Sequence, residues 1–494
     1  MTVLPARHRS EWLRLGLIVT ICATIGVLLI WPGSSEGAEA AFPKALAKPH
    51  CGPGAHPETS IDGRVPLADF RSGRAAKGYR CNTVQVSHQG ASGGFKVIRY
   101  TDVHGNTCAY YDSTLTLPKD VLANLISGDG LGVVVLDMND PRHPRKTANL
   151  TTPAMLSPHE SLLLNTRRGL LAADMGTAAT APGFFDIYDV HNDCRHPQLM
   201  SSTLSAILGH ESGFAPDGKT FYASSATASL VAIDVTNPRQ PRTIFTQFGV
   251  QYHGLRLSDD GRTMYVANIG TVGLGGITDG GLRILDVSQI QDRTPNPSVP
   301  VRSSLSWREV SIPQVAEPFT RNGHHYVFEV DEFVDLFTLK GLSNLNQASV
   351  GAARIIDVQD PRHPRVVSNI RLRVQQPDAR RGAEKDDPGA WFPAQGYAAH
   401  YCSMPTRTNP NLAACSMILS GLRVFDIRDV KHPREVAYFN KPLVSSTRLT
   451  IPLPGGYAMS QPAWDRKRKS IWYSDVNSGF YDVKLTNRAA ALMN

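Results

Sequence analysis

The chain of 494 residues lacks the short motifs that mark many enzyme classes. None of its seven cysteines forms a C-x-x-C pair, which argues against a zinc ribbon or a dithiol redox site. The dipeptides His159-Glu160 and His210-Glu211 lack the second histidine of H-E-x-x-H, so no zincin helix is expected. The glycine-rich stretch 273–276 has no dinucleotide-binding fingerprint. Motifs alone therefore do not identify a reaction.

Clusters of basic residues are also lacking. The formal net charge is +8, but lysine and arginine recur in short turns and are not gathered into patches with interleaved aromatic residues. Nucleic acid is therefore not an expected partner, and the basic surface favours acidic partners such as anionic envelope components. With 41% hydrophobic and 19% charged residues, the chain is expected to be folded and globular.

One segment near the amino terminus, 15–31, contains no charged residue and follows Arg7, Arg9 and Arg14. As a helix it would span about 26 Å, which suits either an export signal or a membrane anchor. A cleavage site of the A-x-A type lies at 38–40. In both cases the basic flank stays cytoplasmic and the rest of the chain is expected outside the cytoplasmic membrane, tethered or secreted.

Cysteine usage agrees with export. Cys22 lies in the apolar segment, and six cysteines remain: Cys51, Cys81, Cys108, Cys194, Cys402 and Cys415. An even number in an exported chain permits disulfides, and six cysteines allow 15 pairings. Only Cys402 and Cys415 are close enough in sequence to predict a local bridge, and buried free thiols are the alternative for the others.

A short sequence motif recurs seven times: it consists of a run of β-branched or apolar residues, then Asp, then a turn rich in Pro and Arg. The aspartates are Asp137, Asp189, Asp234, Asp286, Asp357, Asp426 and Asp482. Their separations range from 45 to 71 residues. A period near 45 with insertions suits four short strands per unit, which predicts a β-propeller.

The turns support four strands per unit. The stretches 140–145 and 360–365 read D-P-R-H-P-R, in which Asp caps the backbone and Pro presets the corner. Another apolar strand follows each such turn. Upstream, the D-G pairs at 217–218 and 260–261 predict a second hairpin between two strands.

The β-branched run ending in Asp, followed by D-P-x-x-P, is similar to the LVIVD-repeat family of exported bacterial and archaeal β-propellers, over about residues 80–485. That resemblance implies a fold and leaves the function open, because the roles of most members are unknown. A looser similarity reaches the selenium-binding protein and methanethiol oxidase propellers, which share the turn and are associated with copper. The cysteine-rich segments of that second family are not evident here.

These observations predict an all-β, seven-bladed propeller after an amino-terminal transmembrane or signal helix. The expected organisation is a cytoplasmic tail with signal or anchor at 1–40, an extracytoplasmic linker at 41–79 and the propeller at 80–494. Because few residues follow Asp482, a strand near Thr83–Ser87 is expected to complete the last blade and close the ring. Insertions are expected at 333–349 and 375–395, the second as a loop.

Histidines supply the candidate site. His159, His210 and His253 begin a first strand at one register, His400 begins the sixth unit, and Glu317 is the plausible equivalent in the fifth. First strands line a propeller's channel, so these side chains are expected near one mouth, where they could bind copper, zinc or iron. A purely hydrogen-bonding role is the alternative.

The other histidines and acidic residues are expected to have structural roles. The turn histidines His143, His196, His363 and His432 are expected to be exposed. Acidic residues at 329, 331, 332 and 335 do not match an EF-hand and are expected on a solvated strand edge.

Three functions are compatible with this prediction. The first is a binding or scaffold module of the cell envelope, whose partner is an envelope protein or a small ligand at the propeller mouth. The second is a metal-dependent oxidoreductase, with copper, acting on small sulfur compounds. The third is a lactonase-like hydrolase. Fold cannot choose among them, because function depends on the site.

Overall fold

The computed structural model describes residues 42–113, 132–175, 183–204, 209–225, 229–273, 276–333, 350–383, 389–390, 396–443 and 456–493. In this part of the chain, seven antiparallel sheets form the blades of a β-propeller. Six have four strands and one has five, and the strands of each blade follow one another as a meander, except that blades 6 and 7 each gain an outer strand from the amino-terminal part of the chain. The predicted all-β, seven-bladed architecture is confirmed.

The strands are numbered in chain order. They begin with β1 (Tyr79–Cys81) and β2 (Thr83–Gln89). Blade 1 is β3 (Val97–Thr101), β4 (Thr107–Asp112), β5 (Val133–Asp137) and β6 (Arg145–Leu150). Blade 2 is β7 (Leu163–Asn165), β8 (Leu170–Asp174), β9 (Phe184–Asp189) and β10 (Gln198–Leu204). Blade 3 is β11 (Ser212–Phe214), β12 (Thr220–Ser225), β13 (Ser229–Asp234) and β14 (Arg242–Phe248).

Blade 4 is β15 (Tyr252–Leu257), β16 (Thr263–Asn268), β19 (Gly281–Asp286) and β20 (Val301–Leu305), with the small hairpin β17 (Thr271–Gly273) and β18 (Gly276–Thr278) between its middle strands. Blade 5 is β21 (Ile312–Arg321), β22 (His324–Glu332), β23 (Ala353–Asp357) and β24 (Arg365–Ile370). Blade 6 is β25 (Tyr401–Ser403), β26 (Leu412–Ser416), β27 (Leu422–Asp426) and β28 (Arg434–Asn440), with β1 as a fifth strand. Blade 7 is β29 (Ala463–Asp465), β30 (Ser470–Asp475), β31 (Gly479–Leu485) and β2.

Within the ranges that the structure describes, the helices are short. They are α1 (Leu67–Arg71), α2 (Pro153–Leu156), α3 (Ser288–Gln291), α4 (Pro377–Arg381) and α5 (Asn487–Leu492), and single 3-10 turns lie at Ala75–Lys77 and Arg373–Gln375. Among the described residues, no helix combines the length and hydropathy required to cross a bilayer. The apolar segment 15–31 lies outside the described residues. The first part of the insertion predicted as a loop at 375–395 instead contains α4, in which Arg380 is buried.

Hydrophobic clusters fill the spaces between neighbouring blades. Tyr110 and Val135 of blade 1 pack with Leu171 of blade 2, for example, and Phe185 of blade 2 packs with Phe221 of blade 3. The third strand of each blade is covered on both faces, which explains its continuous apolar run before the aspartate.

The repeated aspartate is a structural residue that ends the third strand. In six of the seven repeats its Oδ1 accepts the backbone N–H two residues later; the six are Asp137, Asp189, Asp234, Asp286, Asp357 and Asp426. In four of them the carboxylate also pairs with an arginine on the fourth strand, as Asp137 does with Arg145 at 3.1 Å. The repeat thus encodes the hairpin between the third and fourth strands.

The seventh repeat differs from the sequence prediction. In blades 2, 3, 4 and 6 the repeated aspartate pairs with the first residue of the second strand, as Asp234 pairs with Thr220, but in blade 7 Ser470 pairs with Lys484. Asp482 lies two residues earlier, opposite Trp472, and is fully buried. The assignment of Asp482 to the turn position was therefore wrong, because β31 continues to Leu485.

The ring closes as predicted. Strand β2 pairs antiparallel with β31, from Thr83 opposite Leu485 to Gln89 opposite Phe480. The amino-terminal strand thus supplies the outer strand of blade 7, and hydrogen bonds join the two ends of the propeller.

Residues 42–82 pack on the propeller, although the sequence predicted a linker at 41–79. Their first residues contact the segment after β24, where Leu46 N–H donates to the carbonyl of Arg371, and the others pack mainly against blade 6. Strand β1 pairs with β28, and Cys51 forms a disulfide with Cys81. The buried Arg423 of β27 forms ion pairs with Glu58 and Asp62. We call residues 42–82 the amino-terminal strap.

All six cysteines outside the apolar segment form disulfides. The predicted bridge between Cys402 and Cys415 is confirmed. Cys108 on β4 is bonded to Cys194, which follows β9, so this disulfide links blades 1 and 2.

Candidate metal centre

The four predicted histidines lie together, at or just before the start of the first strand in their blades. Two carboxylates that the sequence analysis did not select join them. The group consists of His159, Glu160, His210, His253, Glu332 and His400, and we call it the histidine–glutamate centre.

Glu160 lies at the middle of this centre. Its Oε1 is 3.0 Å from Nε2 of His400 and 4.0 Å from Nε2 of His159. Its Oε2 is 3.3 Å from Nε2 of His210 and 3.6 Å from Nε2 of His253. All four imidazoles therefore present Nε2 to a single carboxylate. Oε2 is buried and makes no hydrogen bond within the described residues.

Glu332, the last residue of β22, closes the other side of the centre. Its Oε1 is 3.4 Å from Nε2 of His253, and its Oε2 is 3.2 Å from Nε2 of His400. Glu160 and Glu332 therefore both lie between His253 and His400.

Backbone carbonyls select the tautomer of two histidines. Nδ1 of His253 is 2.8 Å from the carbonyl oxygen of Pro313, and Nδ1 of His400 is bonded to the carbonyl of Met459. Because a carbonyl can only accept, each Nδ1 carries hydrogen and donates it. In the neutral ring Nε2 then keeps its lone pair, as in metal-bound histidines whose outer nitrogen is held by a carbonyl.

Burial and neighbouring charge determine the protonation of the centre. Burial lowers the pKa of His159 to about 4, and burial with the adjacent imidazoles lowers the pKa of His210 well below its usual value. Burial disfavours ionisation of Glu160, but the surrounding histidines outweigh it and hold its pKa well below the usual range. Burial raises the pKa of Glu332.

His400 behaves differently. Burial opposes its charge, but hydrogen bonds to Glu160 and Glu332 outweigh burial and raise its pKa to about 10. The two carboxylates thus stabilise a positive charge at the place where they meet.

Phe95 packs against two histidines of the centre, and one of them, His159, has an unusual backbone conformation. His159 has φ of +50°, an uncommon backbone conformation for a residue other than glycine, and such outliers often occur at functional sites. The ring of Phe95 packs 4.4 Å from that of His159 and 5.4 Å from that of His400. His159 and His210 approach each other to 3.2 Å between their Nε2 atoms.

Glu317, the fifth predicted ligand, is not placed with the histidines. Its Oε1 accepts hydrogen bonds from Arg256 and Gln461, each at 2.7 Å. Arg256 also pairs with Glu211 at 2.8 Å, and Glu211 pairs with Lys96 at 2.7 Å. These five residues form a second polar layer, which we call the ion-pair network.

The ion-pair network lies further along the same first strands. Glu211 follows His210 directly, Lys96 follows Phe95, and Arg256 is three residues beyond His253. Lys96 and Glu211 are almost fully buried, so the network fills the channel next to the centre. At the centre itself, the side chain of His210 is 24% exposed, whereas that of His400 is 1% exposed. Solvent therefore reaches the centre at His210.

The sequence pattern does not identify Glu160 and Glu332 as part of the site, for different reasons. Glu160 directly follows His159, but in sequence it belongs only to an incomplete zincin motif. Glu332 was assigned with Glu329 and Asp331 to a solvated strand edge, and this was wrong, since all three are buried. Glu329 and Asp331 pair with the buried Arg354. Residue 335 lies outside the described residues.

The turn histidines are exposed, as predicted. Each hydrogen bonds through Nδ1 to the aspartate three residues before it; they are His143, His196, His363 and His432. They cap turns and lie apart from the centre.

No family model and no curated protein matches this chain. Among solved structures, U3-55K is similar with a TM-score of 0.45 and 10% identity, covering 82% of this chain and 98% of its own. A 6-phosphogluconolactonase candidate from Bacteroides uniformis has a TM-score of 0.43 and 10% identity, covering 68% of this chain and 82% of its own. A protein of unknown function from Desulfotomaculum acetoxidans has a TM-score of 0.44 and 11% identity, covering 74% and 90%.

Proposed function

We propose that this protein is an exported propeller of the LVIVD type that binds transition metal at the histidine–glutamate centre and acts as a metal-dependent oxidoreductase. The convergence of four imidazole Nε2 atoms on the buried carboxylate of Glu160 carries this proposal. Imidazole and carboxylate together suit zinc, copper and iron, whereas calcium prefers sites composed of oxygen ligands.

The distances fit coordination. Two ligand atoms about 2.1 Å from one ion lie about 3.0 Å apart at a right angle and about 3.4 Å apart at the tetrahedral angle. The separation of His210 Nε2 and Glu160 Oε2 is 3.3 Å, and that of His400 Nε2 and Glu332 Oε2 is 3.2 Å. Because Nδ1 of His253 and of His400 is held by a backbone carbonyl, the Nε2 lone pair of each ring would face the centre, at His400 once a metal ion displaces the Nε2 proton.

The test is metal binding by the full chain, purified in detergent without a polyhistidine tag. The protein is stripped with a chelator, incubated separately with Mn²⁺, Fe²⁺, Cu²⁺ and Zn²⁺, desalted and analysed for metal. We expect retention of at least one transition metal. The double variant His210→Ala, His253→Ala should bind it at least about tenfold more weakly, since even outer-shell changes cost that much.

A matched control replaces two exposed turn histidines, His143→Ala and His363→Ala, and should retain metal like the wild type. Circular dichroism verifies the fold of each variant. Wild-type protein that retains none of the four metals would exclude a metal centre.

Activity is tested next with the metal that is retained. If it is copper or iron, we expect dioxygen uptake with small thiols. In that oxidation two thiols lose two electrons and two protons to dioxygen, which yields one disulfide and one hydrogen peroxide. Metal retention without turnover of thiols would exclude thiols as substrates but would still support the metal centre. Lactone hydrolysis that depends on zinc would favour the hydrolase.

A binding module of the cell envelope is the second candidate, since a seven-bladed propeller fits a binding or scaffold role. Three disulfides favour an oxidising compartment. Export is tested by protease digestion of intact cells, which should degrade the propeller without lysis. An envelope partner cross-linked equally to the wild type and to His210→Ala, His253→Ala would support the binding role independently of metal.

A further inference from the structure

The two oxygens of Glu160 face two different pairs of histidines. Oε2 faces His210 and His253, at 3.3 and 3.6 Å. Oε1 faces His400 and His159, at 3.0 and 4.0 Å. The two oxygens of the carboxylate thus face different pairs of nitrogen ligands, and the two pairs adjoin where the Nε2 atoms of His159 and His210 are 3.2 Å apart.

Glu332 repeats this division. Its Oε1 faces His253, which belongs to the first pair, and its Oε2 faces His400, which belongs to the second. Each set therefore contains two imidazole nitrogens and one oxygen from each of the two carboxylates.

From this division we propose that the centre holds two divalent transition-metal ions bridged by the carboxylates of Glu160 and Glu332. One ion is bound by His210 and His253, and the other by His159 and His400. The inference rests on the proposed metal binding and specifies its stoichiometry. Sites with two metals commonly hold the ions about 3.5–4 Å apart, a distance that a bridging carboxylate can span.

The number of donors favours two ions over one. Four nitrogens and four carboxylate oxygens face one another in the centre, and five of the six side chains are at most 11% exposed, His210 being the exception at 24%. A zinc ion takes four ligands and an octahedral ion takes six. One ion would leave at least two of these donors unligated, whereas two ions with four protein ligands each use all eight.

The experiment measures ions per chain at saturation in the full-length protein, stripped of metal and then titrated with Mn²⁺ and, in separate samples, Zn²⁺. Elemental analysis is combined with amino-acid analysis for the protein concentration. We expect two ions per chain. The Mn²⁺ form should give the paramagnetic resonance spectrum of an exchange-coupled pair, which distinguishes two bridged ions from two separate ones.

Single variants separate the two sets. His253→Ala and His400→Ala should each retain one ion, whereas in a mononuclear centre both variants would lose the only ion. The spectrum of the wild type tests the proposal by itself, should a variant fail to fold. Saturation at one ion with an uncoupled spectrum overturns the two-ion proposal and leaves metal binding intact. Absence of any bound ion overturns both.

Discussion

At the residue scale, the surroundings of a side chain decide its chemistry more than its type does. His253 and His143 are both histidines near a strand or turn boundary, but His253 is held by the carbonyl of Pro313 inside the channel, and His143 caps an exposed turn. The same contrast holds for aspartate. Asp426 caps a turn at the surface, whereas Asp482 lies in the core on the same face of β31 as Phe480.

Asp482 makes stability depend on pH. Burial raises the pKa of Asp482 to about 6, so the folded protein holds this proton more tightly than the unfolded chain does. The free energy of unfolding should therefore fall as pH rises from about 4 to about 6, by about 3 kcal/mol from this group. Above about pH 6 the ionised carboxylate of Asp482 continues to destabilise the folded protein by this amount.

The variant Asp482→Asn removes this titration. We expect it to be more stable than the wild type at pH 7 and to lose that advantage near pH 4. Urea unfolding of both proteins at several pH values measures the difference. If the free energies of unfolding of the two proteins changed with pH in parallel across this range, the ionisation of Asp482 would not destabilise the fold.

At the element scale, the amino-terminal strap is held to blade 6 by a buried group of charges. Arg423 on β27 pairs with Glu58 and Asp62 of the strap. It also pairs with Glu435 on β28, at 3.1 Å. The arginine is fully buried and stacks on the ring of Tyr438. One side chain thus connects the strap to two strands.

Arg423→Met should destabilise the protein by about 3–5 kcal/mol, because it leaves three carboxylates buried without their cation. The matched control is Arg428→Met, which removes an exposed pair with Asp426 and should cost about 1 kcal/mol or less. Chemical unfolding and limited proteolysis of the strap measure both effects. Equal losses in the two variants would contradict a special role for the buried group.

At the scale of the whole molecule, covalent and hydrogen-bonded links close the ring. Strand β2 joins the amino-terminal part to blade 7, and the disulfide Cys108–Cys194 joins blades 1 and 2 across 86 residues of sequence. A link across a long stretch of chain restricts the unfolded state more than a local one does, such as Cys402–Cys415 at 13 residues.

Replacing Cys108 and Cys194 together by Ala should therefore destabilise the protein by about 4–5 kcal/mol, compared with about 3 kcal/mol for the pair at 402 and 415. Thermal unfolding of the two double variants in the absence of reductant tests this order. A larger loss for the 402–415 variant would mean that local packing outweighs the loop entropy.

Much of the fold was predictable from sequence because the propeller repeats its local chemistry. The aspartate that ends the third strand and the D-P-x-x-P corner act over fewer than ten residues, so they are visible in the chain itself. The closing strand was predictable too, since the last unit lacked one. Asp482 shows the limit of this approach, because a pattern of letters does not indicate where β31 ends.

The seven units, the closure of the ring and the register that aligns His159, His210 and His253 follow from the chain alone, because these features depend on local turns and repeated spacing. The carboxylates that accompany the histidines are identified only by the folded ring. It placed Glu160 and Glu332, more than 170 residues apart in sequence, between the same imidazoles and directed Glu317 to Arg256 instead. Side chains from different blades meet only where the closed ring brings the ends of their strands together, as it does for Glu332 at the end of β22.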